Sequence, residues 1–115
     1  MDERQEVFPI FRGQVCFEQG KCTDVISGCA KPQGINVVLR NMNPKWIAVD
    51  EITTQEDTQA MLSAGWCGVN LIATAHAGSL ADLKCRPIYR PLVENKLFQN
   101  VLVLRRDKSW ILERM

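Results

Sequence analysis

The stretch Lys45-Trp46-Ile47-Ala48-Val49-Asp50-Glu51-Ile52 constrains this chain most, because an apolar run stops there abruptly at two acids. Trp46, Ile47 and Val49 are bulky, β-prone side chains without polar alternation, so they predict a short strand buried on both faces of a parallel sheet. Asp50 and Glu51 fall at its carboxyl end, the edge along which open α/β sheets bind ligands. Apolar residues followed by Asp-Glu form the Walker B pattern. In phosphoryl transfer such a pair divides the work: the first acid holds the nucleotide's magnesium, usually through water, and the second orients or deprotonates the attacking water. The pattern alone does not decide, since any buried strand can stop at acids where the chain reaches solvent.

At 115 residues the chain is one domain or part of one, and its 46% apolar and 23% charged content predicts a folded core. Fourteen basic and thirteen acidic side chains give a net charge of +1, which leaves no electrostatic footprint for nucleic acid. No apolar stretch approaches the length of a membrane span, and Met1-Asp2-Glu3-Arg4 does not resemble a signal peptide, so a soluble, intracellular chain is expected. Cys16, Cys22, Cys29, Cys67 and Cys85 contain no C-x-x-C pair, and one histidine cannot complete the usual zinc sets. Reduced, structural thiols are the expectation.

The segment 7–20 holds Pro9, Gly13 and Gly20 among apolar residues without helical period, and predicts an irregular, partly buried loop. A helix follows, with Pro32 in its first turn, Ile35, Val38, Leu39 and Met42 on one face, and Asn41, Asn43 and Pro44 at its end. After the acids, Thr53 and Glu56 are spaced as a capping box for a helix over 55–64, which Gly65 and Gly68 should break. The amides at the start of this helix are available to an anion. Val69-Asn70-Leu71-Ile72-Ala73-Thr74 predicts the next buried strand. Strand, helix and strand in this order imply a parallel sheet with right-handed crossovers, placing Thr74 and His76 beside Asp50 and Glu51. A short helix over 79–84 capped by Ser79, a second over 91–98, and a hairpin of 100–106 with 109–113 complete the chain. Trp46, Trp66 and Trp110 are expected in the core.

Asp2-Glu3-Arg4, Thr23-Asp24-Val25, Cys29-Ala30-Lys31, Val49-Asp50-Glu51-Ile52, Glu56-Asp57, Ala75-His76, Asp82-Leu83 and Arg86-Pro87 occur in the same order as in one family. The chain resembles the carboxyl-terminal part of the stage III sporulation protein AA family, cytosolic ATPases similar to those that power type II and type IV secretion. The resemblance implies an α/β, RecA-like P-loop NTPase core, here truncated at the amino end, with residues 1–115 forming the Walker B half of one ATPase domain and ending in a β-hairpin. It implies ATP and Mg2+ as cofactors, a homo-oligomer with a hexamer suggested, and membrane-embedded sporulation channel components as partners. The location it implies is the mother-cell cytoplasm, peripheral to the forespore channel.

Carried over by this resemblance, Asp50 would be the magnesium acid and Glu51 the catalytic base. His76 would sense the terminal phosphate or couple hydrolysis to movement, and Thr74 would be a polar sensor at the strand end. Arg4 either pairs with the acids before it or reaches a neighbouring subunit's phosphate, and Arg86 is either positional or nucleotide-facing. The family's P-loop, G-x-x-x-x-G-K-[ST], lies upstream of the matching segment and is absent from these residues: Gly20-Lys21 is followed by Cys22. The arginine that the family tends to carry just before Thr-Asp-Val is replaced by Cys22. Three readings stay open: a piece of a longer ATPase, inactive alone; a non-catalytic docking module of a secretion-type assembly; or a partial gene product without a function of its own.

Overall fold

A computed structural model describes all 115 residues. Its centre is the parallel pair of β3 (Trp46–Val49) and β4 (Asn70–Ala73), in the register Trp46 to Asn70 through Val49 to Ala73. Before it come a small hairpin, β1 (Ile10–Phe11) with β2 (Gln14–Val15), and helix α1 (Lys31–Asn41). The hairpin stands where an irregular loop was expected, turning on Arg12 and Gly13, both at positive φ. Helix α2 (Gln55–Trp66) connects β3 to β4. Two short helices, α3 (Leu80–Cys85) and α4 (Arg90–Glu94), lead to the antiparallel hairpin of β5 (Asn100–Leu104) and β6 (Trp110–Arg114). The second of these helices is shorter than 91–98, because Asn95 caps it and Lys96 takes a positive φ.

Each helix end has a local cause. Pro32 lies in the first turn of α1, where a missing amide costs nothing. Gly34 stays inside that helix because Met1 packs against it, and a Cβ there would collide with Met1 Cε. The capping box of α2 sits one residue later than the spacing of Thr53 and Glu56 suggested: Thr54 Oγ1 accepts from the Asp57 amide and Asp57 accepts from the Thr54 amide. Asp is shorter in reach than Glu but serves the same purpose here. Gly65 does not end α2. It gives room to Leu97, and the helix runs to Trp66, with Cys67 as its cap and Gly68 beyond it at a φ of 83°, the left-handed conformation that glycine favours. Ser79 caps α3 through the Asp82 amide, as expected.

The core lies on one side of the β3–β4 pair. Ile47 and Val49 point into it beside Ile35 and Val38 of α1, Met61 and Ala64 of α2, and Tyr89 and Leu92 around α4. Thr58 of α2 donates to the Ile88 carbonyl at 3.0 Å and fastens that helix to the segment before α4. The other side is bare: Trp46 is 60% exposed and Ile72 57%. The strand is therefore covered on one face, not two, and Trp66 and Trp110 are exposed as well, against the expectation for all three tryptophans. At the edge of β3 away from β4, the Met1 amino group donates to the Ala48 carbonyl, and the Met1 carbonyl accepts from the Asp50 amide at 3.2 Å. Those two bonds bracket Val49 in the parallel pattern.

Candidate functional site

The strand order does bring the expected residues of β3 and β4 together. The Thr74 amide donates to the Val49 carbonyl at 3.3 Å and the Thr74 carbonyl accepts from the Ile52 amide at 3.0 Å, so pairing continues past the ends of both strands. Glu51 and His76 consequently meet: Nε2 of His76 lies 3.5 Å from Oε1 of Glu51. His76 is almost fully in solvent, whereas the Glu51 carboxylate is about one-third exposed. The hydroxyl of Thr74 is exposed and engages no partner; its part in the site is that of its backbone.

Asp50 is held differently. Its Oδ1 accepts from the Glu51 amide at 2.8 Å, and its side chain is only 12% exposed. Beside it stands Lys31, the first residue of α1, whose Nζ lies 2.9 Å from Glu3 Oε2, 3.8 Å from Asp57 Oδ2 and 3.9 Å from Asp50 Oδ1. A cation at a helix amino terminus opposes the helix dipole, and α1 has no acid in its first turn to compensate. The three carboxylates supply that compensation. Burial alone would lower the Lys31 pKa, but the hydrogen bond to Glu3 and the charges of Asp57, Glu3 and Asp50 outweigh it and raise it. Asp57 also takes hydrogen bonds from the amides of Thr53 and Thr54 and from the Thr53 hydroxyl. The strand end, the α2 cap and the start of α1 thus share one charged knot.

Lys31, Glu3 and Asp57 lie in segments that carry the family resemblance, but the sequence alone assigns them no role in the site. A lysine at the first position of a helix that lacks early acids is the signal that could have found them. Arg4 departs from its plainer reading: it is exposed and makes no ion pair. The acids before it are committed elsewhere, Glu3 to Lys31 and Asp2 to the amides of Glu6, Val7 and Phe8, at 2.7 Å for the last. Burial pushes the Asp2 carboxyl up, yet these three amides prevail and hold it below its ordinary value. Arg86 is positional in this structure, forming a two-pronged pair with Asp82 at 3.1 and 2.8 Å. That hydrogen bond lowers the Asp82 pKa and raises that of Arg86. Arg86 and His76 nonetheless line the same recess, of about 610 Å³, together with Arg105 and Arg106.

No three His, Cys, Asp or Glu side chains converge in metal-binding geometry, and the five cysteines are unpaired. Magnesium needs less than a protein cage: it keeps several waters and takes one or two carboxylates, with phosphate oxygens completing its shell. Asp50 and Glu51 at one strand end are such a donor set. Lys31 at 3.9 Å neutralises part of the Asp50 charge, which suits a hold through water better than direct ligation. These residues contain no glycine-rich cradle for phosphates.

No helix is long and apolar enough to cross a membrane. No solved structure matches the chain. Stage III sporulation protein AA of Bacillus subtilis (strain 168) is 39% identical over 109 residues, covering 95% of this chain and 36% of that protein. The uncharacterized protein ycf45 of Cyanidium caldarium is 29% identical over 110 residues, covering 84% of this chain and 33% of its own length. The chain therefore spans about one-third of the curated relatives it matches. The family model described as sporulation stage III, protein AA matches residues 1–110, and the chain belongs to that family.

Proposed function

We propose that this chain is the Walker B half of a RecA-like domain in a sporulation ATPase, one that hydrolyses ATP to power a secretion-like channel between mother cell and forespore. The observation that carries the reading is the meeting of Glu51 with His76 at the carboxyl ends of two parallel strands, directly beside the shielded carboxylate of Asp50. Asp50 holds magnesium through water, and Glu51, free of any lysine partner, accepts a proton from the attacking water. His76 stands where it can hydrogen-bond Glu51 or a phosphate oxygen, and Thr74 lies just short of that position on the same strand end. Arg105 and Arg106 bring positive charge to the recess that His76 and the Asp82-paired Arg86 line with them. Exposed and unpaired, Arg4 is available to a neighbouring subunit in a homo-oligomer. Magnesium and ATP bring the phosphate electrostatics; the residues of this chain orient water and hold protons. Without a phosphate cradle the 115 residues alone are inactive. The test uses a longer protein in which residues 1–115 replace the matching 109 residues of the Bacillus subtilis relative. Glu51→Gln in that protein is expected to keep ATP binding and abolish turnover; unchanged turnover removes Glu51 from the role of base.

A further inference from the structure

Lys31 is the only basic residue buried in this chain, and its three carboxylate neighbours come from three other segments. Glu3 and Asp57 fix the ammonium without help from Asp50. Glu3 accepts its hydrogen bond, and Asp57 Oδ2 is itself anchored by the Thr53 amide and hydroxyl and the Thr54 amide. Asp50 is held from one side only: the Glu51 amide at 2.8 Å and the Lys31 ammonium at 3.9 Å both approach Oδ1. Oδ2 of Asp50 meets no protein donor. It nonetheless reaches the surface, because no polar side-chain atom that lacks a partner is sealed from solvent. The Asp50 carboxylate thus has an inner oxygen and an outer one, at the strand end that also carries Glu51 and His76.

At 3.9 Å the ammonium is beyond hydrogen-bond reach of Asp50 and acts on it as a charge. A charge fixed on one side of a carboxylate orients it, since turning Oδ1 away gives up that attraction. We propose that Lys31 is a positioning residue for the metal acid: it draws Oδ1 of Asp50 inward and leaves Oδ2 as the single oxygen offered to the water shell of magnesium. This role rests on the reading of Asp50 as the magnesium acid and adds what aims that acid. With the ammonium gone, Asp50 is free to turn and, at full charge, to take the place of a water on the metal.

Counting the waters on the metal tests it. The protein used is the longer one in which residues 1–115 replace the matching part of the Bacillus subtilis relative, because in the short chain the Met1 amino group also interacts with the Asp50 charge. It is loaded with manganese(II) and a non-hydrolysable ATP analogue in heavy water, and the deuterons on the metal are counted by electron spin echo. Lys31→Met is expected to keep one water fewer than the unchanged protein, and Lys31→Arg, which retains the charge, to keep the same number. A purely structural Lys31 would lower the stability of Lys31→Met and leave its water count as it was; that result overturns the proposal. Where Lys31→Met does not fold, the unchanged protein, isotopically labelled at its aspartate carboxyl carbons, gives the answer. A strong carbon coupling to the metal that vanishes in Asp50→Asn means direct ligation and overturns the proposal, whereas the weak coupling of a carboxylate one water away supports it. Asp50→Asn also separates the two readings: manganese binding about 10-fold weaker sustains Asp50 as the metal acid, and unchanged binding removes that role and the proposal with it.

Discussion

The two faces of the β3–β4 pair have nearly the same apolar composition and opposite fates. On the inner face Ile47 and Val49 are sealed under α1 and α2, and the rim of that face carries the charged knot around Lys31. On the outer face Trp46 and Ile72 stand in solvent. All the helices that these residues supply pack on one side, so a strand built for two layers receives one. An apolar run thus reports the covering a strand is suited to, and that covering need not come from the same stretch of chain.

Substitutions should separate the faces cleanly. Ile47→Ala is expected to cost about 2–5 kcal/mol by emptying a packed site, measured by urea unfolding. Lys31→Met is expected to cost about 3 kcal/mol, because Asp57 and Asp50 would be left buried without their cation. A loss below about 1 kcal/mol would mean that the knot does not bind the rim to the inner face. Thr54→Ala, which removes one side of the α2 capping box, should cost about 1 kcal/mol.

The acid arm of stability gives a further contrast. The folded Asp2 carboxyl titrates below its ordinary value of about 3.9, so the stability it contributes is complete above that pH. It is lost as pH falls through the lower folded value. Asp2→Asn should therefore flatten the stability profile below about pH 4 and lower the plateau above it. The Lys31 pKa is raised, so its contribution is complete below about pH 10.4 and fades only as pH climbs through the higher folded value. The smallest effect belongs to the outer face: Trp46→Thr should stay within about 0.5 kcal/mol in the 115-residue chain. A loss as large as that of Ile47→Ala would erase the distinction between the faces.

Much of this was legible in the sequence. The apolar runs at 46–49 and 70–73, joined by a helix, lie parallel as the alternation predicts, and adjacency at the strand ends brings His76 to Glu51. The carboxyl-terminal hairpin and the Ser79 cap were legible for equally local reasons. The knot was not, because Glu3, Lys31, Asp50 and Asp57 come from four separate segments that only the fold joins. Arg4 looked paired because two acids precede it, and both find better partners at a distance. The tryptophans failed for the reason the outer face makes plain: side-chain character does not say which layer is present.

The most direct test of the ATPase reading is steady-state ATP turnover by the 115-residue chain alone and by the longer protein that carries it. No turnover is expected from the short chain, and measurable turnover, lost on Asp50→Ala, from the longer one. Turnover by the short chain that disappears on Asp50→Ala would contradict the reading, since these residues would then hold phosphates without the cradle they lack.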